Sequence, residues 1–332
     1  MRIGIVGGSG NISTGVVRLL LEQGHDVTCV TRGRAPVPEG ARNLVGDRED
    51  LDWFIPTMQA EKFDAAIDFI AFHPEQGEAS LEAFRDVGHF IHVSTVMTYG
   101  ESPRWLPVTE DHPDDADFPY AKNKATIDRR YEAAHLTDGF PVTIIRPFTT
   151  YGRARVVRQL GIDTRWFDRI RNGRPILKVG EGNAIHHLLH VDDAAPAFAG
   201  VLGRERCIGQ TYNLVNPVHT TWSEVHATAM EVIGTEVEQV PIAADTLFTA
   251  DPQRFMLVPG NFSRNLLFSA AKLQRDVPEF SPKVSLRDGL ADAYEYLARN
   301  DLIERVPVGD WEDQLISIQQ DAARRASSVV FA

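Results

Sequence analysis

The stretch that most constrains this chain is Ile5-Val-Gly-Gly-Ser-Gly-Asn-Ile-Ser-Thr14. It follows an apolar run, residues 2–6, that reads as a buried strand. It opens a run with apolar residues at helical spacing that closes at Gly24. A glycine-rich turn between a strand and a helix is a ready-made anion site, because the free N–H groups of the helix start point at the ligand. Gly7 permits the tight turn, and Gly10 lets the backbone approach a pyrophosphate. Ser9, Asn11 and Ile12 complete the loop and are expected to touch the cofactor. Ser13 takes the third small position, where helix and strand pack closely.

The pattern then repeats. Strand-like runs at residues 25–33, 41–47, 63–72, 89–100 and 141–147 alternate with helical ones, including 120–136. Such alternation predicts a parallel sheet covered on both faces: an α/β, Rossmann-type doubly wound domain. After residue 152 the pattern loosens. The reading assigns residues 1–152 with about 191–216 to the dinucleotide-binding domain. Residues of about 153–190 and 217–332 are assigned to a smaller mixed α/β substrate lobe with C-terminal helices.

Composition narrows the partners. A formal net charge of -12 disfavours nucleic acid as a partner. The two Cys, Cys29 and Cys207, form no metal or redox spacing, which fits a reducing compartment. No apolar run approaches a membrane span, and the first residues lack a secretory leader, so a cytoplasmic protein is expected.

Cofactor choice is read at the end of the second strand, Val30-Thr31-Arg32-Gly33-Arg34. No carboxylate stands there to hold ribose hydroxyls, whereas Arg32 and Arg34 suit a 2′-phosphate. NADP is therefore favoured over NAD, with Thr31 compatible with either ribose and Asp47 bordering the adenine. Further on, Tyr120-Ala-Lys-Asn-Lys124 puts a phenol and an ammonium on one helical face. The ammonium would lower the phenol pKa, which suits proton exchange with a carbonyl oxygen.

The loop at Gly7, Gly10 and Ser13 is followed in order by "VSTVMTYG", "PYAKNK", "IIRPFTTYG" and "HVDD". This ordered set resembles the extended short-chain dehydrogenase/reductase family, the NAD-dependent epimerase/dehydratase group, over most of the chain. The resemblance implies hydride transfer at a hydroxyl/carbonyl carbon of a small substrate such as a sugar or nucleotide sugar. Thr95 would orient the substrate oxygen and Tyr120 would exchange its proton. Lys124 would bind the nicotinamide ribose and hold Tyr120 toward the phenolate. Ser94 is the nearest competitor for the role of Thr95. Cofactor contacts are also expected from Ile70, Ala71, Phe72, Pro147 and Phe148. A homodimer is the form that family members commonly take.

Several positions depart from the family pattern. Val96 and Met97 replace the Asp-Glu pair of the dehydratases, which disfavours sugar dehydration. Thr149 stands where sugar-nucleotide members often carry Asn, and His186 where they often carry Arg. Arg153, Arg155 and Arg158 offer an alternative anion contact. The expected substrate-facing set is His73, Val96, Met97, Thr149, Arg155 and His186. His186, His187 and His190 lie in an extended stretch without a completing ligand, so no metal is expected. The C-terminal segment "FSAAKLQRDVPEFSPKVSLRDGL" also resembles the subgroup of chloroplast stem-loop-binding proteins and their bacterial relatives. That likeness leaves an alternative, a cofactor-sensing or RNA-associated protein on the same fold.

Overall fold

Strand β1 (Arg2–Val6) buries four of its five residues, because both of its faces are covered. In a computed structural model, which describes residues 1–329, this strand lies inside a seven-stranded sheet. The other strands of the sheet are β2 (Asp26–Thr31), β3 (Arg42–Val45), β4 (Ala65–Asp68), β5 (His89–Val93), β6 (Val142–Pro147) and β7 (Thr211–Leu214). The order is β7-β6-β5-β4-β1-β2-β3, with every pair parallel. This is the expected Rossmann-type sheet. The chain reverses direction across the sheet between β1 and β4, where Ile3 faces Ala65 and Val6 faces Asp68. Ligands bind beyond the carboxyl ends of strands at such a switch point.

Four helices frame that edge: α1 (Ser13–Glu22), α2 (Leu51–Glu61), α3 (Pro74–Ala83) and α4 (Pro119–Asp138). Asp50 caps α2 by accepting the Trp53 N–H. Helix α4 starts at Pro119, whose missing N–H costs nothing in a first turn, and stops at Gly139, with φ at 70°. It buries Ala121, Ala125, Ile127 and Tyr131, but also Lys124 and Asp128. The run 89–100, read as one strand, is shorter in the structure. Strand β5 ends at Val93, the Thr95 hydroxyl accepts the Met97 N–H at 3.3 Å, and Val96–Tyr99 forms a 3₁₀ turn. Local side-chain bonding of this kind competes with a continuing ladder.

The chain divides into two units. The first contains Met1–Thr150, Leu189–Pro217 and Phe268–Lys283. The last segment, read as part of the second lobe, belongs here: Phe268 bridges to Val108, and Lys272 Nζ donates to the Thr211 carbonyl at 3.0 Å. The second unit contains Tyr151–Leu188, Val218–Leu267 and the residues from Val284 on. Its core packs Trp166, Phe167, Trp222 and Phe262. Its final helix, Trp311–Ser327, is anchored by Glu312, which accepts from both terminal nitrogens of the buried Arg158 at 2.9 Å. Among the described residues, no helix is long and apolar enough to cross a membrane.

Candidate dinucleotide and proton-transfer site

The loop after β1 is shaped by contacts that few residues could satisfy. Gly7 has φ at 92°, and a Cβ there would come within 2.8 Å of Ile70. A Cβ at Gly8 would meet Cys29 Sγ at 2.3 Å, so the loop rests directly on β2. The departure at Ser13 has a physical explanation. Its hydroxyl donates to the Gly7 carbonyl at 2.6 Å and accepts the Gly10 N–H at 2.8 Å, closing the turn from inside.

Beside this loop lies a cavity of about 270 Å³. Eight expected cofactor residues line it: Gly7, Ser9, Gly10, Thr31, Arg32, Asp47, Ile70 and Phe72. The others fall outside its lining. Asn11 turns its amide to Thr150 Oγ1 at 3.2 Å, Ile12 precedes α1, and Ala71 is fully buried. Arg34 is exposed beyond the cavity. Pro147 ends β6, and the Phe148 ring packs 4.9 Å from that of Phe268. Thr31 has its hydroxyl occupied, donating to Asn43 Oδ1 at 2.9 Å and accepting the Gly33 N–H at 3.1 Å.

Sequence reasoning missed Arg48, which also lines the cavity. Its guanidinium binds both oxygens of Asp68 at 2.9 and 2.8 Å and donates to the Gln76 carbonyl and Ser80 Oγ. Burial pushes the Asp68 carboxyl up, but Arg48, Ser80 and the Ile70 N–H outweigh it, and the pKa is lowered. Asp68 Oδ1 thereby fixes the turn at Ile70, which lines the cavity. The signal was an acidic residue in the apolar run "AAIDFIAF", since a buried carboxylate needs a partner.

Helix α4 brings the proposed proton-transfer groups to this edge. Tyr120 is 38% exposed, and its ring centroid lies 6.2 Å from that of Phe72. Lys124 is buried, with Nζ donating to the Val93 carbonyl at 2.6 Å and standing 5.0 Å from the Phe72 ring centroid. Phe72, a wall of the nucleotide cavity, therefore adjoins both residues. Burial lowers the Lys124 ammonium to about 8, while Asp68 and Asp128 oppose the shift. Asn123 donates to the Phe72 carbonyl at 3.1 Å and lies 3.2 Å from His73 Nδ1, joining α4 to the loop after β4. Ser94 donates to Asp128 at 2.7 Å, so its hydroxyl is committed to the interior. Thr95 stands next to it, capping the 3₁₀ turn.

The expected substrate residues are divided between the two units. Met97 and His73 reach the surface of the first unit, Thr149 is largely buried, and Val96 lies in the core. Arg155 and His186 belong to the second unit. Arg155 is exposed. His186 is fully buried with its ring 4.5 Å from that of Trp222, and burial lowers its pKa, so it is a neutral core histidine. Arg158 is equally buried and serves Glu312 and Asp163, while Arg153 binds Asp292. Among the described residues no group of three or more His, Cys, Asp or Glu could hold a metal ion.

A glycine loop at the switch point of a parallel sheet, with its helix N-terminus open to a cavity, defines a dinucleotide-binding α/β protein. The model of the NAD dependent epimerase/dehydratase family matches residues 3–214, and the chain belongs to that family. It is 29% identical over 248 residues to 2'-dehydrokanamycin reductase of Streptomyces kanamyceticus, covering 74% of this chain and 70% of the relative. It is 28% identical over 309 residues to the chloroplast stem-loop binding protein of 41 kDa b of Arabidopsis thaliana, covering 88% and 78%. In fold it is similar to UDP-glucose 4-epimerase from Thermotoga maritima, with a TM-score of 0.75 at 20% identity over 90% of this chain and 99% of the other. UDP-glucuronic acid 4-epimerase from Bacillus cereus, in complex with NAD, gives a TM-score of 0.72 at 18% identity, over the same shares.

Proposed function

We propose that this protein is an NAD(P)-dependent oxidoreductase or epimerase that moves a hydride to or from a hydroxyl/carbonyl carbon of a small, sugar-like substrate. The observation that carries this reading is the position of Phe72. It walls the nucleotide cavity and touches both members of the Tyr120–Lys124 pair. When bound, the nicotinamide supplies the hydride chemistry. The chain supplies the rest. Tyr120 exchanges the proton at the substrate oxygen, Thr95 orients that oxygen, and Lys124 favours the phenolate. The 2'-dehydrokanamycin reductase likeness supports the reductive direction on a carbohydrate-like ketone. NADP is the preferred cofactor, because Arg32 is an exposed guanidinium at the cavity wall.

A second reading, an RNA-associated protein, draws on the stem-loop binding relative. The net charge of -12 and the intact Tyr120–Lys124 pair weigh against it. Tyr120→Phe decides between them when the protein is assayed with NADPH against a panel of sugar ketones and nucleotide sugars. Turnover should fall about 10²-fold or more with nucleotide affinity kept. Undiminished turnover in the variant would refute the assignment of Tyr120. RNA affinity without turnover on the panel would favour the second reading.

A further inference from the structure

Between the sheet and helices α3 and α4 lies a buried polar layer. Lys124 sits in it with only a carbonyl and an aromatic face in contact with its ammonium, and among the described residues no carboxylate forms an ion pair with it. A buried charge with so little direct compensation must be balanced at longer range. Two fully buried carboxylates share the layer. Asp68 on β4 stands in register with His92 on β5, so both side chains leave the same face of the sheet. Asp128 lies one turn beyond Lys124 and two beyond Tyr120, on the same face of α4.

Asp128 also reaches the other segment of the site. Its Oδ2 accepts from Ser94 Oγ at 2.7 Å and from Arg146 Nε at 3.0 Å, with Arg146 Nη2 at 2.9 Å. Its Oδ1 lies 3.4 Å from His92 Nε2. Ser94 directly precedes Thr95. One carboxylate thus contacts β5's exit and β6 while riding on the helix that carries Tyr120 and Lys124.

We propose that Asp128 is a positioning residue, fixing α4 against the Ser94–Thr95 strand end and, with Asp68, supplying the negative charge that keeps the Lys124 ammonium protonated in the interior. The inference rests on the role given to Lys124 under the proposed function. The remaining groups facing the layer are Arg48 from the loop before α2, His92 from β5, Arg146 from β6 and Tyr131 from α4. Arg48 adds to the lowering of the Lys124 pKa. Burial lowers the pKa of His92 and raises that of Tyr131, which keeps both neutral. Arg146 spends its guanidinium on Asp128 and on Asp114, at 3.2 Å from the latter.

The Lys124 ammonium can be followed without any substrate. The full-length protein, labelled with ¹³C at lysine Cε, is titrated by NMR, and Lys124→Met identifies the resonance. The wild-type midpoint is expected at about 8. Asp128→Asn should lower it by about one pH unit or more, since it removes an opposite charge from the same turn. Asp68→Asn, which leaves every bond of Asp128 in place, should lower it too and carries the charge test if Asp128→Asn does not fold. Ser94→Ala keeps all charges; it should leave the midpoint unmoved and speed amide hydrogen exchange in the first turns of α4. Unmoved midpoints in the folded carboxylate variants overturn the charge role, and unchanged exchange in Ser94→Ala overturns the brace. Retained turnover in Tyr120→Phe would remove the proposed role of the Tyr120–Lys124 pair yet leave these titrations standing, so the two failures are distinguishable.

Discussion

Two arginines line the nucleotide cavity, and their surroundings assign them different work. Arg48 is buried, with its terminal nitrogens committed to Asp68, Gln76 and Ser80. Arg32 is exposed, and among the described residues it has no ion-pair partner. A 2′-phosphate would therefore be met by Arg32. A charge-assisted hydrogen bond contributes about 1.5–3 kcal/mol, so Arg32→Asp should weaken NADPH binding by about tenfold or more. NADH binding should change little. Parallel titrations of nucleotide fluorescence check this, and equal losses for both nucleotides would remove the 2′-phosphate contact. Arg32 was legible because it sits at the tip of a strand that a dinucleotide must pass. Arg48 was not, because it stands in the loop before α2 and its partner lies 20 residues away at the end of β4, so nothing beside it in sequence marks the pairing. His186 misled for the opposite reason. A family position commonly filled by Arg suggested a ligand, whereas here the imidazole packs against the rings of Trp222 and Phe262.

At the scale of elements, the strands of the sheet were readable because burial on both faces leaves nearly unbroken apolar runs. Helix α4, read as residues 120–136, was readable to within two residues of its observed Pro119–Asp138, but not in its orientation. The face it buries carries Lys124 and Asp128, so polarity does not mark inside from outside. The extent of β5 was overread because an apolar run cannot announce where a Thr hydroxyl will turn the chain. The final helix, Trp311–Ser327, falls among the expected C-terminal helices, yet its anchor is a charge. Burial pushes Glu312 up, but Arg158, Arg169 and the Leu177 N–H outweigh this and lower its pKa. Breaking a buried ion pair by removing one partner costs about 3–5 kcal/mol, because the other charge stays buried alone. Glu312→Gln should therefore lower the unfolding free energy extrapolated from urea titration by that amount. A loss below about 1 kcal/mol would show that Arg158 finds compensation elsewhere.

At the scale of the whole molecule, these groups set a direction for pH dependence. Glu312, Asp68 and Asp128 have pKa values below those of an unfolded chain. Their contribution is complete above the ordinary carboxylate range and is lost as pH falls through the folded values. His226 acts in the same direction by another route. Burial first, and then Arg158, lower its pKa from 6.5 to about 4, so the folded state resists a proton that the unfolded state takes up. Stability should thus fall as pH drops from 6.5 toward 4, with about 3 kcal/mol from His226 alone. Denaturant titrations at pH 7 and pH 4.5 test the sign, and His226→Gln should flatten the slope. A rise in stability on acidification would contradict the burial of these groups.

The two bonds of Asn123, to the Phe72 carbonyl and toward His73, have a consequence for how a nucleotide enters. They tie the wall of the cleft to the helix bearing Tyr120, so that wall is already in place before any guest arrives. Little ordering remains for the association step, and calorimetry of nucleotide uptake should register a small heat-capacity change, as for docking between rigid bodies.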